Sequence, residues 1–145
     1  MKKRFLTILL LLAFTASAIA GSDSCTESWI RNLNTHIVGL ELTCDGGNFT
    51  DTTQSEVYGW VSLVVVNPGT PAPTEQFDMT LSDEEGADLM GGALTDLNAS
   101  ITRQHMPLVD GTSWPRYVDG PISVTTTHNE EADAEFKVKI LFPKE

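Results

Sequence analysis

Residues Glu135 to Phe142 read Glu-Phe-Lys-Val-Lys-Ile-Leu-Phe. Phe136, Val138, Ile140 and Phe142 alternate with Glu135, Lys137, Lys139 and Leu141. Side chains on a strand point to opposite faces in turn, so this period of two reads as a strand with one face on a core. The same period recurs upstream. Val38, Leu40, Leu42 and Cys44 alternate with Gly39, Glu41 and Thr43; Phe77, Met79 and Leu81 alternate with Asp78 and Thr80; Ile122, Val124 and Thr126 alternate again. Val57 to Val66, Val-Tyr-Gly-Trp-Val-Ser-Leu-Val-Val-Val, is more apolar and β-branched, and is expected as a strand lying centrally in a sheet.

Turn-forming residues separate these runs. Asp45-Gly46-Gly47-Asn48, Asp83-Glu84-Glu85-Gly86 and Asn129 to Asp133 are turn signals. Three prolines within Asn67 to Pro73 cannot join a central ladder, so that stretch is expected as a sheet-to-sheet crossover or an edge loop. Within Ala87 to Leu97, Gly91-Gly92 argues against a helix and for a bulge or a close backbone approach. Ser28 to Asn34 is the one piece read as short helix or irregular structure, with Trp29, Ile30 and Leu33 able to share a face. Together these runs predict an all-β chain forming one β-sandwich, Ig-like or jelly-roll-like, of about seven to eight strands.

The N-terminus carries a different signal. Lys2, Lys3 and Arg4 precede the apolar run Phe5 to Phe14, and Ala18-Ile19-Ala20 offers a small-residue cleavage site. This is the pattern of a secretory signal peptide over residues 1–20, cleaved after Ala20, with the β-sandwich domain over 21–145. The run is too short to span a bilayer, which takes about 20 apolar residues, and no later segment of the mature chain is long and apolar enough to do so. Export places the protein in the periplasm or outside the cell, where Cys25 and Cys44 are expected to pair. The bond would close a loop of about 20 residues, worth roughly 3 kcal/mol in the chain-entropy picture.

Removing 20 residues from 145 leaves 125, enough for one core. It also removes three of nine basic residues and no acid, so six cations face twenty carboxylates and the mature charge is −14. Such a surface repels phosphate backbones and argues against nucleic acid as a partner. Strong acidity serves solubility, or it serves a divalent cation. Asp83, Glu85 and Asp88 around Gly86 are the candidate calcium ligands, because calcium takes several hard oxygens from a tightly folded chain. The alternative is a solvated hairpin tip.

For catalysis the sequence offers little. His36, His105 and His128 are far apart and lack zinc-ligand spacing. Met79, Met90 and His105-Met106 fit core filling better than a copper site. No Gly-x-Ser-x-Gly, His-Glu-x-x-His or Cys-x-x-Cys motif occurs. The expectation is a protein that is not an enzyme, with an unrecognised hydrolase or metalloenzyme as an alternative. Asn48-Phe49-Thr50 and Asn98-Ala99-Ser100 match the glycosylation pattern, which carries no weight behind a bacterial-looking leader.

The candidate binding residues are Trp114, Arg116 and Tyr117, in Thr112-Ser113-Trp114-Pro115-Arg116-Tyr117. Aromatic rings and an arginine on a rigid loop suit a protein interface or a glycan platform. The competing reading is a loop that folds Trp114 back as a cap on the core. Self-assembly through an exposed edge strand is a further expectation.

The stretch Asn67 to Leu97, NPGTPAPTEQFDMTLSDEEGADLMGGALTDL, resembles a segment of uncharacterised small all-β proteins of phages, prophages and environmental bacteria. The resemblance covers 31 residues. It rests on the Pro-Gly to Ala-Pro loop, the Phe-Asp-Met-Thr-Leu strand, the Asp-Glu-Glu-Gly turn and Leu-Met-Gly-Gly-Ala-Leu. It implies an all-β fold and a structural or accessory role in a particle, and it brings no catalytic residue. A leader peptide is not something a particle protein assembled in the cytoplasm needs, so an exported relative fits better.

Overall fold

The computed structural model describes residues 23–32 and 37–143. The leader expected at 1–20 with its expected cleavage position, the end of the 28–34 segment and His36 lie outside the described residues. Those that are described form an all-β structure of twelve strands without a helix. The strands are β1 (Ser24–Asn32), β2 (Ile37–Asp45), β3 (Thr50–Thr52), β4 (Val57–Val61), β5 (Leu63–Pro68), β6 (Asp78–Ser82), β7 (Arg103–His105), β8 (Leu108–Val109), β9 (Thr112–Ser113), β10 (Arg116–Gly120), β11 (Ser123–Thr127) and β12 (Glu135–Pro143).

Five strands make the larger sheet in the order β1-β2-β12-β5-β7, every pair antiparallel. The alternation over Glu135 to Phe142 belongs to β12, at the centre of this sheet. Phe136, Val138, Ile140 and Phe142 are buried, as are Leu40, Leu42 and Cys44 of β2 on the same side. On the opposite side Lys139 lies directly across from Glu41 and pairs with it at 3.1 Å. A second sheet runs β3-β11-β6, and β4 pairs only with β10. Met79 and Leu81 of β6, Val124 of β11, Val57 and Val61 of β4 and Val118 of β10 join the residues of the larger sheet in one hydrophobic cluster. Phe136 packs within it on Phe77 and Phe49, ring centroids 5.9 and 6.2 Å apart.

Three sequence expectations need correction. Val57 to Val66 is not one strand. The buried positions are Val57 and Val61, then Val64 and Val66, so the alternation slips by one residue between them. A one-residue slip exchanges the two faces of a strand, and a continuous apolar run conceals it. At the slip the Ser62 N–H and hydroxyl both donate to the Leu141 carbonyl, and the chain passes from the β4–β10 ribbon into the larger sheet. Ser28 to Asn34 is not helical as far as it is described. Its described part belongs to β1, which pairs with β2 over nine residues, from Ser24↔Asp45 to Asn32↔Ile37. Tertiary pairing overrides the local pattern, and the Cys25–Cys44 disulfide joins two directly opposed residues, Cα atoms 4.0 Å apart. The segment Thr112 to Tyr117 is not a single loop. Asp110 and Gly111 adopt φ of +50° and +75° between β8 and β9, as a two-residue hairpin turn demands, and Arg116 already begins β10.

The strand count is also corrected: twelve strands stand where about seven to eight were expected, because short pairings such as β3, β7, β8 and β9, of two or three residues each, carry no alternation to announce them. The crossover expected over Asn67 to Pro73 holds only from Gly69: Asn67 and Pro68 close β5 opposite Lys137 and Phe136 of β12, so the first proline does end a ladder strand. From there the chain passes to β6, held against β12 by Gly69 N–H to the Glu135 carbonyl and Glu135 N–H to the Pro71 carbonyl. Ala87 to Leu97 runs as turns beside β6. A Cβ on Gly91 would meet the Leu108 carbonyl oxygen at 2.1 Å, so that glycine marks a close backbone approach. The Asp45 to Asn48 turn is secured from beneath by a buried side chain. Asn129 donates to the carbonyls of Gly46 and Gly47 and accepts from Thr74 N–H, while the Thr126 hydroxyl donates to Gly47 at 2.6 Å.

Candidate aromatic cleft

In β4 the inward positions are Val57, Gly59 and Val61, which turns Tyr58 and Trp60 outward. In β10 the buried Val118 and Gly120 leave Tyr117 and Asp119 outward. The register sets Tyr117 across from Trp60 and Asp119 across from Tyr58. Directly opposed residues project to the same face, so these four side chains share one side of the ribbon. Trp60 and Tyr117 meet edge to face, with centroids 5.4 Å apart and planes at 67°, a favoured arrangement for aromatic quadrupoles.

The ribbon borders a cleft of about 360 Å³ lined by Trp29, Val38, Val57, Tyr58, Gly59, Trp60, Tyr117, Phe142 and Pro143. Trp29 comes from β1. It is paired with Leu40 and so projects to the core side of that edge strand. Buried Val57 and Phe142 form the base, with Gly59 lying over the Phe142 ring. The rim consists of Trp29, Tyr58, Trp60 and Tyr117, which are 43, 61, 42 and 51% exposed. They are four of the seven large hydrophobic side chains exposed among the described residues. Exposed apolar residues scattered singly need no explanation, but four aromatics around one concavity do.

Acidic groups surround Tyr58. Its hydroxyl donates to Glu56 Oε2, and that bond raises its pKa first, followed by desolvation and the charges of Glu56, Asp119 and Glu84. Glu84 also approaches the ribbon at Gly120, where a Cβ would lie 3.2 Å from its carboxylate oxygen.

Of the residues read as a binding loop, only Tyr117 lines this cleft. Trp114 is 63% exposed before β10, its backbone N–H donating to the Pro107 carbonyl. Arg116 is half-buried on the other face of β10, and its Nη2 donates to the Leu108 carbonyl at 3.2 Å. The sequence reading passed over Trp29, Tyr58 and Trp60. The signal for the last two was the alternation Glu56, Tyr58, Trp60 along one face of β4, obscured by the apolar residues between.

The candidate calcium carboxylates occupy one turn. Asp83 Oδ1 accepts from Ala87 N–H at 2.7 Å. Asp88 accepts from Met90 N–H and Gly92 N–H at 2.8 and 2.6 Å, and Glu85 is exposed. Among the described residues no group of three or more His, Cys, Asp and Glu side chains is gathered to hold a metal ion. His128 lies 2.7 Å from Asp78, and burial lowers the pKa of His105. No helix among the described residues is long and apolar enough to cross a membrane. Comparison with protein-family models, curated proteins and solved structures gave no match.

Proposed function

We propose that the protein is an exported, non-catalytic β-sandwich that acts by binding at the cell surface or in the periplasm, through the aromatic cleft. The carrying observation is the convergence of Trp29, Tyr58, Trp60 and Tyr117 from three strands onto one concavity of small-ligand size. The Cys25–Cys44 disulfide fits an oxidising compartment. Binding of the purified protein to a glycan panel and to isolated cell-envelope material tests the reading. The Trp60→Ala/Tyr117→Ala double variant loses binding at least about tenfold if one hot-spot aromatic contributes about 1.4 kcal/mol or more. Trp114→Ala leaves it unchanged. A double variant that keeps every interaction of the parent contradicts the reading.

A second reading, self-assembly, has its own observation. β1 is a nine-residue edge of the larger sheet, whereas the opposite edge, β7, has three residues. Its first half is already engaged: Cys25 N–H donates to Asp51, and Glu27 accepts from Gln54 and Ser55. The half from Trp29 onward is where a neighbour's strand would add. Light scattering separates the readings: a monomer that binds supports the cleft, and an assembly abolished by Arg31→Pro, whose N–H like that of Cys25 points away from β2, supports the edge.

A further inference from the structure

The cleft combines two features that neither sequence motif nor fold class requires together. Its rim is aromatic on several sides, and the charges beside Tyr58 are all negative. Glu56 holds the Tyr58 hydroxyl, Asp119 stands directly across the ribbon from Tyr58, and Glu84 approaches at Gly120. Among the described residues, the charges that act on Tyr58 are those of Glu56, Asp119 and Glu84. Arg116, adjacent to Tyr117 in the chain, turns its guanidinium to Leu108 on the other face. Arg31 is on the β1 side of the cleft, opposite Val38, whereas the carboxylates gather at Tyr58 on the ribbon side.

Aromatic faces carry negative quadrupole density, so rings arranged around a cavity attract a cation that sheds water easily. Carboxylates beside the rings add a Coulombic preference in the same sense. A neutral sugar would gain from the rings but not from the surrounding charge. An anion would be repelled by both.

We infer that the cleft takes a small quaternary ammonium compound, its trimethylammonium group held among Trp29, Tyr58, Trp60 and Tyr117 and its charge facing Glu56 and Asp119. This rests on the reading of the cleft as a binding site and names its ligand class. A free small molecule suits the volume of about 360 Å³. The same carboxylates disfavour a compound that carries an anionic group of its own, so choline is bound in preference to glycine betaine.

Calorimetric titration of the purified protein tests the assignment with choline chloride, with its neutral isostere 3,3-dimethylbutan-1-ol and with glycine betaine. Choline binds about tenfold or more tightly than the isostere, within the range of a desolvated cation–π contact, and more tightly than betaine. Trp60→Ala abolishes choline binding, and Trp60→Phe, which keeps a ring, retains part of it. Glu56→Gln/Asp119→Asn weakens choline several-fold and leaves the isostere unaffected. Equal affinity for choline and the isostere, or no binding of choline, overturns the assignment. If choline fails while the glycan panel still binds in a Trp60-dependent way, the cation assignment falls and the binding reading stands. If both fail, both fall.

Discussion

Trp60 of β4 and Tyr117 of β10 meet edge to face across a two-stranded ribbon, their ring centroids 5.4 Å apart, while both stay about half exposed. A pair placed this way contributes to stability, but burial would contribute more. Its position at the rim of a cleft, beside Tyr58 and Trp29, is the structural basis for reading it as a contact surface.

The pair itself has a measurable energy. A double-mutant cycle of Trp60→Ala and Tyr117→Ala, read by denaturant unfolding, should give a coupling of about 1 kcal/mol, as for other edge-to-face pairs. A coupling near zero would mean that the two rings do not stay in contact.

Asn129 is buried beneath the Gly46–Gly47 turn and satisfies two carbonyls and one N–H. Asn129→Ala leaves these groups without their partner in a site closed to water. The expected loss of stability is about 2–3 kcal/mol, from the cost of leaving buried polar groups unpaired. A loss below about 0.5 kcal/mol, typical of a surface substitution, would contradict the role assigned to this side chain.

The Cys25–Cys44 bond links opposed residues of β1 and β2, 19 positions apart in the chain. Cys25→Ser/Cys44→Ser should lower stability by about 3 kcal/mol through the freed unfolded chain. Equal unfolding midpoints for the oxidised protein and the double variant would show that the pairing of β1 with β2 suffices alone.

Asp78 gives a pH dependence with a defined sign. Its carboxylate accepts from Asp96 N–H at 2.8 Å and lies against His128, and these contacts lower its pKa below the usual 3.8. A carboxylate lowered in the folded state contributes stability above its unfolded pKa, and that contribution is lost as pH falls through the folded value. Unfolding midpoints should therefore drop below about pH 4, where an unperturbed aspartate begins to protonate. Asp78→Asn should flatten this part of the profile. An unchanged acid limb would assign the loss to other carboxylates.

Much of the fold was legible where one face of a strand is buried and the other is wet. β2, β6, β11 and β12 announce themselves through period-two alternation, because each has a charged or polar side. The crossover was legible from Gly69 onward because proline cannot continue a ladder, but its start was not, since Asn67 and Pro68 still pair with β12. What escaped is set by tertiary pairing. β1 has no alternation of its own and is a strand because β2 and the disulfide hold it there. The slip at Ser62 is invisible in a run of valines, since either phase is apolar. The cleft depends on both points: Trp29 belongs to β1, and Tyr58 and Trp60 face outward only because the phase of β4 differs from that of β5. Tyr117 alone among the rim residues could be nominated from the sequence, as part of an aromatic segment whose other members, Trp114 and Arg116, lie elsewhere.

The chain contains three tryptophans, and they form an internal control. Trp29 and Trp60 line the cleft, and Trp114 does not. The most direct measurement is an NMR titration that follows the three indole N–H signals of the purified protein, with choline chloride and a set of neutral oligosaccharides as probes. A ligand that occupies the cleft moves the Trp29 and Trp60 signals together, saturably, and leaves Trp114 in place. Saturable movement of Trp114 with Trp29 and Trp60 unmoved, or no movement with any probe, would contradict the claim that the aromatic cleft is the binding site.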